Sequence, residues 1–93
     1  MKKVYIVEEY YRYDNLNDSN ITVFDTFEKA KKKYEEVLNI EKTESWVSDF
    51  LNQELDPAQD FFYLEETDTS FYCCDYDNEG NTTDISIVIK EVQ

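Results

Sequence analysis

The chain has no histidine, and only one glycine (Gly80), one proline (Pro57) and one arginine (Arg12) among its 93 residues. Without histidine it lacks the commonest general base, the commonest zinc ligand and the imidazole of the usual nucleophilic triads. Any enzymatic reading would have to rest on carboxylates, tyrosine, lysine or cysteine. No apolar run approaches the roughly 20 residues that span a bilayer. The opening Met1-Lys2-Lys3-Val4-Tyr5-Ile6-Val7-Glu8 turns acidic too early for the hydrophobic stretch of a signal peptide. The expectation is a soluble, cytoplasmic protein. Cysteine is limited to the adjacent pair Cys73 and Cys74. In an extended strand such neighbours point to opposite faces, and a bridge between them would need a strained ring. Two reduced thiols, buried or half-buried in a strand, are expected, as suits a reducing compartment. Two thiols alone cannot complete a tetrahedral zinc shell.

What is abundant is acid and aromatic surface. A chain of this size buries about 60 to 65% of its unfolded surface, which is one modest core and one domain, residues 1–93. Eight tyrosines, six phenylalanines and one tryptophan supply the large side chains that a highly charged chain needs to fold. Scarce glycine, proline, arginine and alanine (Ala30, Ala58), beside plentiful Asn, Asp, Glu, Lys, Ile and Tyr, match the codon bias of an AT-rich genome.

The net charge is −13, with 22 acids against nine bases. It is polarised: residues 1–42 carry a net −1, and residues 43–93 carry −12 with Lys90 as their single base. Mutual repulsion on that scale opposes compaction, so it is either tolerated for solubility or used by a partner. The same field disfavours direct contact with nucleic acid or with an anionic membrane.

Hydrophobic periodicity divides the chain into elements. Residues 3–13, rich in β-branched and aromatic side chains, read as a first strand. Asp14 to Asn20 read as a long loop, and Ile21 to Phe24 as a second strand. Asp25 or Thr26 caps a helix in which Phe27, Ala30, Tyr34, Val37 and Leu38 share one face. The pairs Glu28–Lys32, Lys31–Glu35 and Lys32–Glu36 stand at i,i+4 on its outer face. A second helical stretch, Glu44 to Leu55, aligns Trp46, Val47, Phe50, Leu51 and Leu55 and stops before Asp56-Pro57; its continuity with the first across Asn39 to Thr43 is left open. Asp56 to Asp60 suits a short capped turn. Phe61 to Leu64 reads as strand or helix end. Ser70 to Tyr76 and Asp84 to Val92 read as a closing hairpin, with Ile85, Ile87 and Ile89 on one face. The fold class is α+β: an antiparallel sheet of four strands, five if residues 61–66 join it, in the order β-β-α-α-β-β with helices packed on one face.

Each chemical constellation has a simpler structural reading. Glu8-Glu9 and Glu65-Glu66 are paired in sequence, but neighbours in a strand face opposite ways, and both pairs read as solvated surface. Asp75-Tyr76-Asp77-Asn78-Glu79-Gly80 is similar to the start of an EF-hand loop, with acids at positions one, three and five and glycine at six. Position twelve is Ser86 rather than glutamate, and strands flank the segment. A hairpin turn in which Gly80 takes φ > 0 accounts for the same residues. No metal and no cofactor are expected. The cluster Lys29, Lys31, Lys32 and Lys33 is offset by Glu28, Glu35 and Glu36 and reads as a solvated helix face. Tyr10, Tyr11, Tyr13, Phe61, Phe62, Tyr63, Phe71, Tyr72 and Tyr76 are more rings than a small core needs, and tyrosine beside charge is the composition of protein interfaces.

These features point away from catalysis and toward binding. In its size, its run of acids from Glu44 to Asp84 and its AT-rich-type composition, the chain resembles small acidic phage-encoded inhibitors, the anti-CRISPR and anti-restriction proteins that mimic DNA. That resemblance implies a partner with a basic surface, such as the nucleic-acid-binding groove of a nuclease or regulator. Glu65, Glu66, Asp68, Asp75, Asp77 and Glu79, with Tyr72 and Tyr76, are the expected contact residues. The alternative is a small structural or regulatory interaction protein, a homodimer included, whose acidity serves solubility.

Overall fold

A computed structural model describes residues 2–13, 16–48, 62–75 and 81–92 of the chain. It is α+β, and its five strands form a single antiparallel sheet in the order β2-β1-β5-β4-β3. β1 (Lys2–Tyr13) and β2 (Leu16–Phe24) form an unbroken ladder from Tyr5↔Phe24 to Tyr13↔Leu16. This corrects the long loop expected over Asp14 to Asn20. β2 begins at Leu16, and the connection is the two residues 14–15. Asn17 to Asn20 are poor strand formers, but on an edge strand their side chains stay in water while the ladder holds the backbone, so pairing overrides propensity.

α1 (Phe27–Glu44) starts at Thr26, whose extended backbone and Oγ1, accepting the Lys29 N–H at 3.3 Å, make the cap. Ala30, Tyr34, Val37 and Leu38 are buried as the spacing predicts, whereas Phe27 at the first turn is exposed and meets the Tyr5 ring in a T-shaped contact. Of the three i,i+4 pairs, Lys31–Glu35 closes, at 3.9 Å. α1 runs unbroken through Asn39 to Thr43 and stops at Ser45. The Ser45 hydroxyl donates to the Glu41 carbonyl at 2.6 Å and accepts the Val47 N–H at 3.1 Å. One side chain thus ends α1 and starts the helical residues 46–48. The remainder of the expected second helix, with Phe50, Leu51 and Leu55, and the Asp56 to Asp60 turn lie outside the described residues.

The segment read as strand or helix end is a strand, β3 (Phe62–Glu66), so the sheet has the fifth strand that the sequence leaves open, and the described order is β-β-α-β-β-β. It pairs with β4 (Ser70–Asp75), which in turn pairs with β5 (Thr82–Val92). A tight turn joins β3 to β4. Thr67 donates its N–H to the Ser70 carbonyl at 2.8 Å, and its Oγ1 lies 2.7 Å from Ser70 Oγ. β5 also pairs with β1 along eleven residues, from Lys2↔Val92 to Arg12↔Thr82, so the first and last strands form the centre of the sheet.

Side-chain alternation gives the sheet two unlike faces. One face carries Val7 of β1, Ile85 of β5, and Phe71 and Cys73 of β4, which pack with Ala30, Tyr34, Val37 and Leu38 of α1 and with Val47 as the core. Full burial of each large apolar side chain is worth about 1.5–3 kcal/mol. Cys73 and Cys74 are both buried and unbridged; Cys73 faces the core, and Cys74, on the opposite face, accepts a long contact from the Thr82 hydroxyl at 3.9 Å. No described helix is long and apolar enough to cross a membrane.

Candidate functional site

No described helix packs on the second face of the sheet, where Cys74 is buried and Ile6, Glu8, Tyr72, Asp84 and Val88 are half-buried. Register determines which side chains meet there. Glu65 stands opposite Tyr72, Tyr72 opposite Asp84, Asp84 opposite Tyr10, and Tyr10 opposite Ser19. This is one straight row across all five strands, in which carboxylates alternate with tyrosines. A parallel row holds Ile21, Glu8, Ser86 and Ser70, and a third Val23, Ile6 and Val88. Directly opposed side chains sit about 4.5–5.5 Å apart at Cβ and diagonal ones about 7–8 Å, so the three carboxylates of this face are held at fixed spacing by the ladder. Arg12 and Lys90 mark its two ends.

Local bonds orient the row. Tyr63 donates its hydroxyl to Glu65 Oε2 at 2.8 Å and meets the Tyr72 ring edge-on, with centroids 5.9 Å apart. The Tyr10 hydroxyl donates to Asn17 Oδ1 at 3.1 Å. Burial pushes the Asp84 carboxyl above its ordinary value, and the neighbouring Glu8 charge adds to the rise. A shallow depression of 220 Å³ sits over Glu8, Tyr10, Ile21, Asp84 and Ser86.

The covered face carries a different cluster. Glu9 is only 7% exposed and accepts from the Tyr11 hydroxyl at 2.6 Å and from Asn20 Nδ2 at 3.4 Å. The solvated reading of Glu8-Glu9 is therefore wrong for Glu9, although the two do face opposite ways. Hydrogen bonds replace the water that Glu9 gives up. Across from it, Glu41 accepts from the Thr83 hydroxyl at 3.1 Å. Burial raises the Glu41 carboxyl above its ordinary value and Glu9 adds to this, while the Thr83 bond opposes it. Tyr11 is pushed well above the ordinary phenol range, by burial first and by its bond to Glu9 second. Tyr11, Glu41 and Thr83, with Ser45 and Trp46, line a 580 Å³ cleft.

The residues expected to contact a partner divide between these surroundings. Glu65 and Tyr72 lie in the open-face row. Glu66 projects to the helix side, where Lys42 Nζ holds both of its oxygens at 2.9 and 2.7 Å. Asp68 is in the β3–β4 turn, and its carbonyl accepts the Lys31 ammonium. Two of the lysines thus engage the acidic half of the chain: Lys31, from the cluster read as a solvated face, and Lys42 beyond it. Asp75 ends β4. Tyr76, Asp77 and Glu79, and with them the EF-hand-like stretch, lie outside the described residues. Asp84 and Glu8 are not among the expected contact residues, and Tyr10 is named only in the tyrosine surplus; the structure puts all three beside Glu65 and Tyr72 on this face. Parity along each strand would have grouped them with Glu65 only if the β1–β5 pairing had been known. Among the described residues no three metal-ligating side chains converge. Comparison with protein-family models, curated proteins and solved structures finds no match to the chain.

Proposed function

We propose that this chain is a protein-binding module, not an enzyme, whose open sheet face receives a basic surface on another protein. The row Glu65, Tyr72, Asp84 and Tyr10, with Glu8 beside it, carries the reading. Carboxylates fixed on a rigid sheet accept Arg and Lys without first ordering themselves, and the tyrosines between them add stacking area and cation-attracting ring faces. Asp84 is already desolvated and repelled by Glu8, so an incoming cation relieves a cost present in the unbound protein. The net charge of −13 steers the encounter, and the acids elsewhere contribute to that field rather than to the contact. In its specific form the basic surface is one that otherwise holds nucleic-acid phosphates, as the resemblance to DNA-mimicking inhibitors implies.

The test is affinity capture from the source cell at low and high salt, with two charge-reversed variants. Capture is expected at low salt and lost at high salt, because screening weakens the attraction. Glu65→Lys with Asp84→Lys abolishes it, whereas Glu28→Lys with Glu36→Lys on the outer face of α1 retains most of it. A partner held equally well at high salt and by the open-face variant sinks the reading.

A further inference from the structure

The two edges of the sheet are unlike. β3 is five residues long and ends in Glu65 and Glu66, a short and charged edge of the kind that resists pairing with another chain. β2 has none of these protections. It is nine residues long, carries one charge, Asp18, and has no lysine and no proline. Its ladder to β1 keeps one register across all nine pairs, so no bulge twists it away. Among the described residues nothing pairs with its outer side. It also exposes Leu16 (73%), Ile21 (65%) and Val23 (58%). A long, unbulged edge with exposed apolar side chains is a template for another strand.

Charge identifies which strand. Residues 2–24 are nearly neutral, net −1, with Glu8, Glu9, Asp14 and Asp18 against Lys2, Lys3 and Arg12. Residues 62–75 hold Glu65, Glu66, Asp68 and Asp75 and no base. These two regions occupy opposite edges of the sheet. Four strand spacings of about 4.8 Å separate β2 from β3, roughly 19 Å, against a screening length of about 8 Å at physiological salt. A second copy approaching β2 therefore meets the nearly neutral edge and keeps the two acidic edges far apart. We infer that the chain self-associates through β2, two copies pairing their β2 edges antiparallel about a two-fold axis to make one ten-stranded sheet. On the open side, Val23 of each copy would then continue the apolar row of Ile6 and Val88 toward the axis, with Ile21 beside it.

Sedimentation equilibrium of the full chain from about 5 to about 500 µM reads the result, because a dimer's apparent mass depends on concentration. The expected mass rises toward twice the 11.2 kDa of one chain. Association tightens between roughly 0.05 and 0.5 M NaCl, since screening reduces repulsion between like-charged copies. This is the opposite salt dependence to that of a basic partner, so the two ideas fail separately. Ile21→Lys with Val23→Lys, both solvent-facing, weakens association at least about tenfold with an unchanged far-ultraviolet circular dichroism spectrum. A spin label on Ser19→Cys, with Cys73 and Cys74 buried, gives an intermolecular backbone distance within about 25 Å for any register that pairs at least four residues of each β2. A single-chain mass at every concentration, a dimer that survives the folded double variant, or labels farther apart than that in a dimer overturns the inference. Should the double variant lose its fold, the label distance decides.

Discussion

Lys42 Nζ lies 2.9 and 2.7 Å from the two carboxylate oxygens of Glu66 and, in the same position, 5.5 Å from the centre of the Phe71 ring. One ammonium near the end of α1 thus ties the helix to the β3 edge by charge and to β4 by its ring contact. Both charged side chains are about a third exposed, so solvent screens the pair. A double-mutant cycle of Lys42→Met and Glu66→Gln, read by urea unfolding, should give a coupling of about 0.3–1 kcal/mol that shrinks in high salt. Lys42→Met alone should cost more than Glu66→Gln, because it also removes the ring contact, worth roughly 0.5–1 kcal/mol.

Tyr34 is 1% exposed, and its hydroxyl has no hydrogen-bond partner among the described residues. Burial, with the nearby Glu66, Asp68 and Glu35 charges, pushes its phenol up to about 12. A buried unsatisfied hydroxyl costs about 1–3 kcal/mol, so Tyr34→Phe should leave stability unchanged or raise it by about 1 kcal/mol in thermal or urea unfolding. A loss above about 1 kcal/mol would reveal a partner for the hydroxyl.

Glu41 has a folded pKa raised above its ordinary value of 4.5. The folded state therefore binds the proton more tightly than the unfolded one. Its stabilising effect is complete below the unfolded value and is lost as pH rises through the folded one. Ionised Glu41 thus costs stability at neutral pH, by no more than about 1 kcal/mol after solvent screening. Glu41→Gln keeps an acceptor for Thr83 and should raise the melting temperature at pH 7, with the gain fading as pH falls toward 4. An equal gain at both pH values would assign the effect to packing.

Asp84 and Glu8 share the open face, and the Glu8 charge opposes ionisation of Asp84. Glu8→Gln should lower the apparent pKa of Asp84, followed through its carboxyl carbon by NMR titration, while Glu28→Gln on α1 should not move it. The pH dependence of binding to a basic partner has a definite sign: affinity falls as pH drops through the raised Asp84 value, because protonation removes the central carboxylate of the row.

Ile85 is fully buried in β5, between β1 and β4, with Glu9 and Phe71 as cross-strand neighbours. Ile85→Ala should cost about 2–5 kcal/mol. Ile89→Ala, four residues along the same face but 53% exposed, should cost under about 1 kcal/mol by chemical denaturation.

Local signals were readable wherever one element's own sequence carried them. α1 follows from its period and from Thr26, and the burial of Ala30, Tyr34, Val37 and Leu38 follows with it, because helical spacing is a property of one segment. The opposed faces of Glu8 and Glu9, and of Cys73 and Cys74, follow from strand alternation alone. Asn17 to Asn20 misled because their propensity is for turns, and only the partner strand holds them extended. β3 was ambiguous because five residues are too few for periodicity to decide.

Composition and pattern by themselves determined an acidic, histidine-free α+β chain with a capped amphipathic helix, a tyrosine surplus and charge gathered in the second half. Those properties need only residue identities and near-neighbour spacing. Tertiary structure alone decided which acids share a surface: Glu65 beside Tyr72, Asp84 and Glu8 on one face, Glu66 held by Lys42 on the other, and Glu9 buried under hydrogen bonds. It also decided that the nearly neutral hairpin and the acidic one lie on opposite edges of the sheet. Those relationships depend on β1 pairing with β5, a contact between residues 70 to 90 positions apart, whose register is selected by the fit of all five strands against one helix and not by any segment alone.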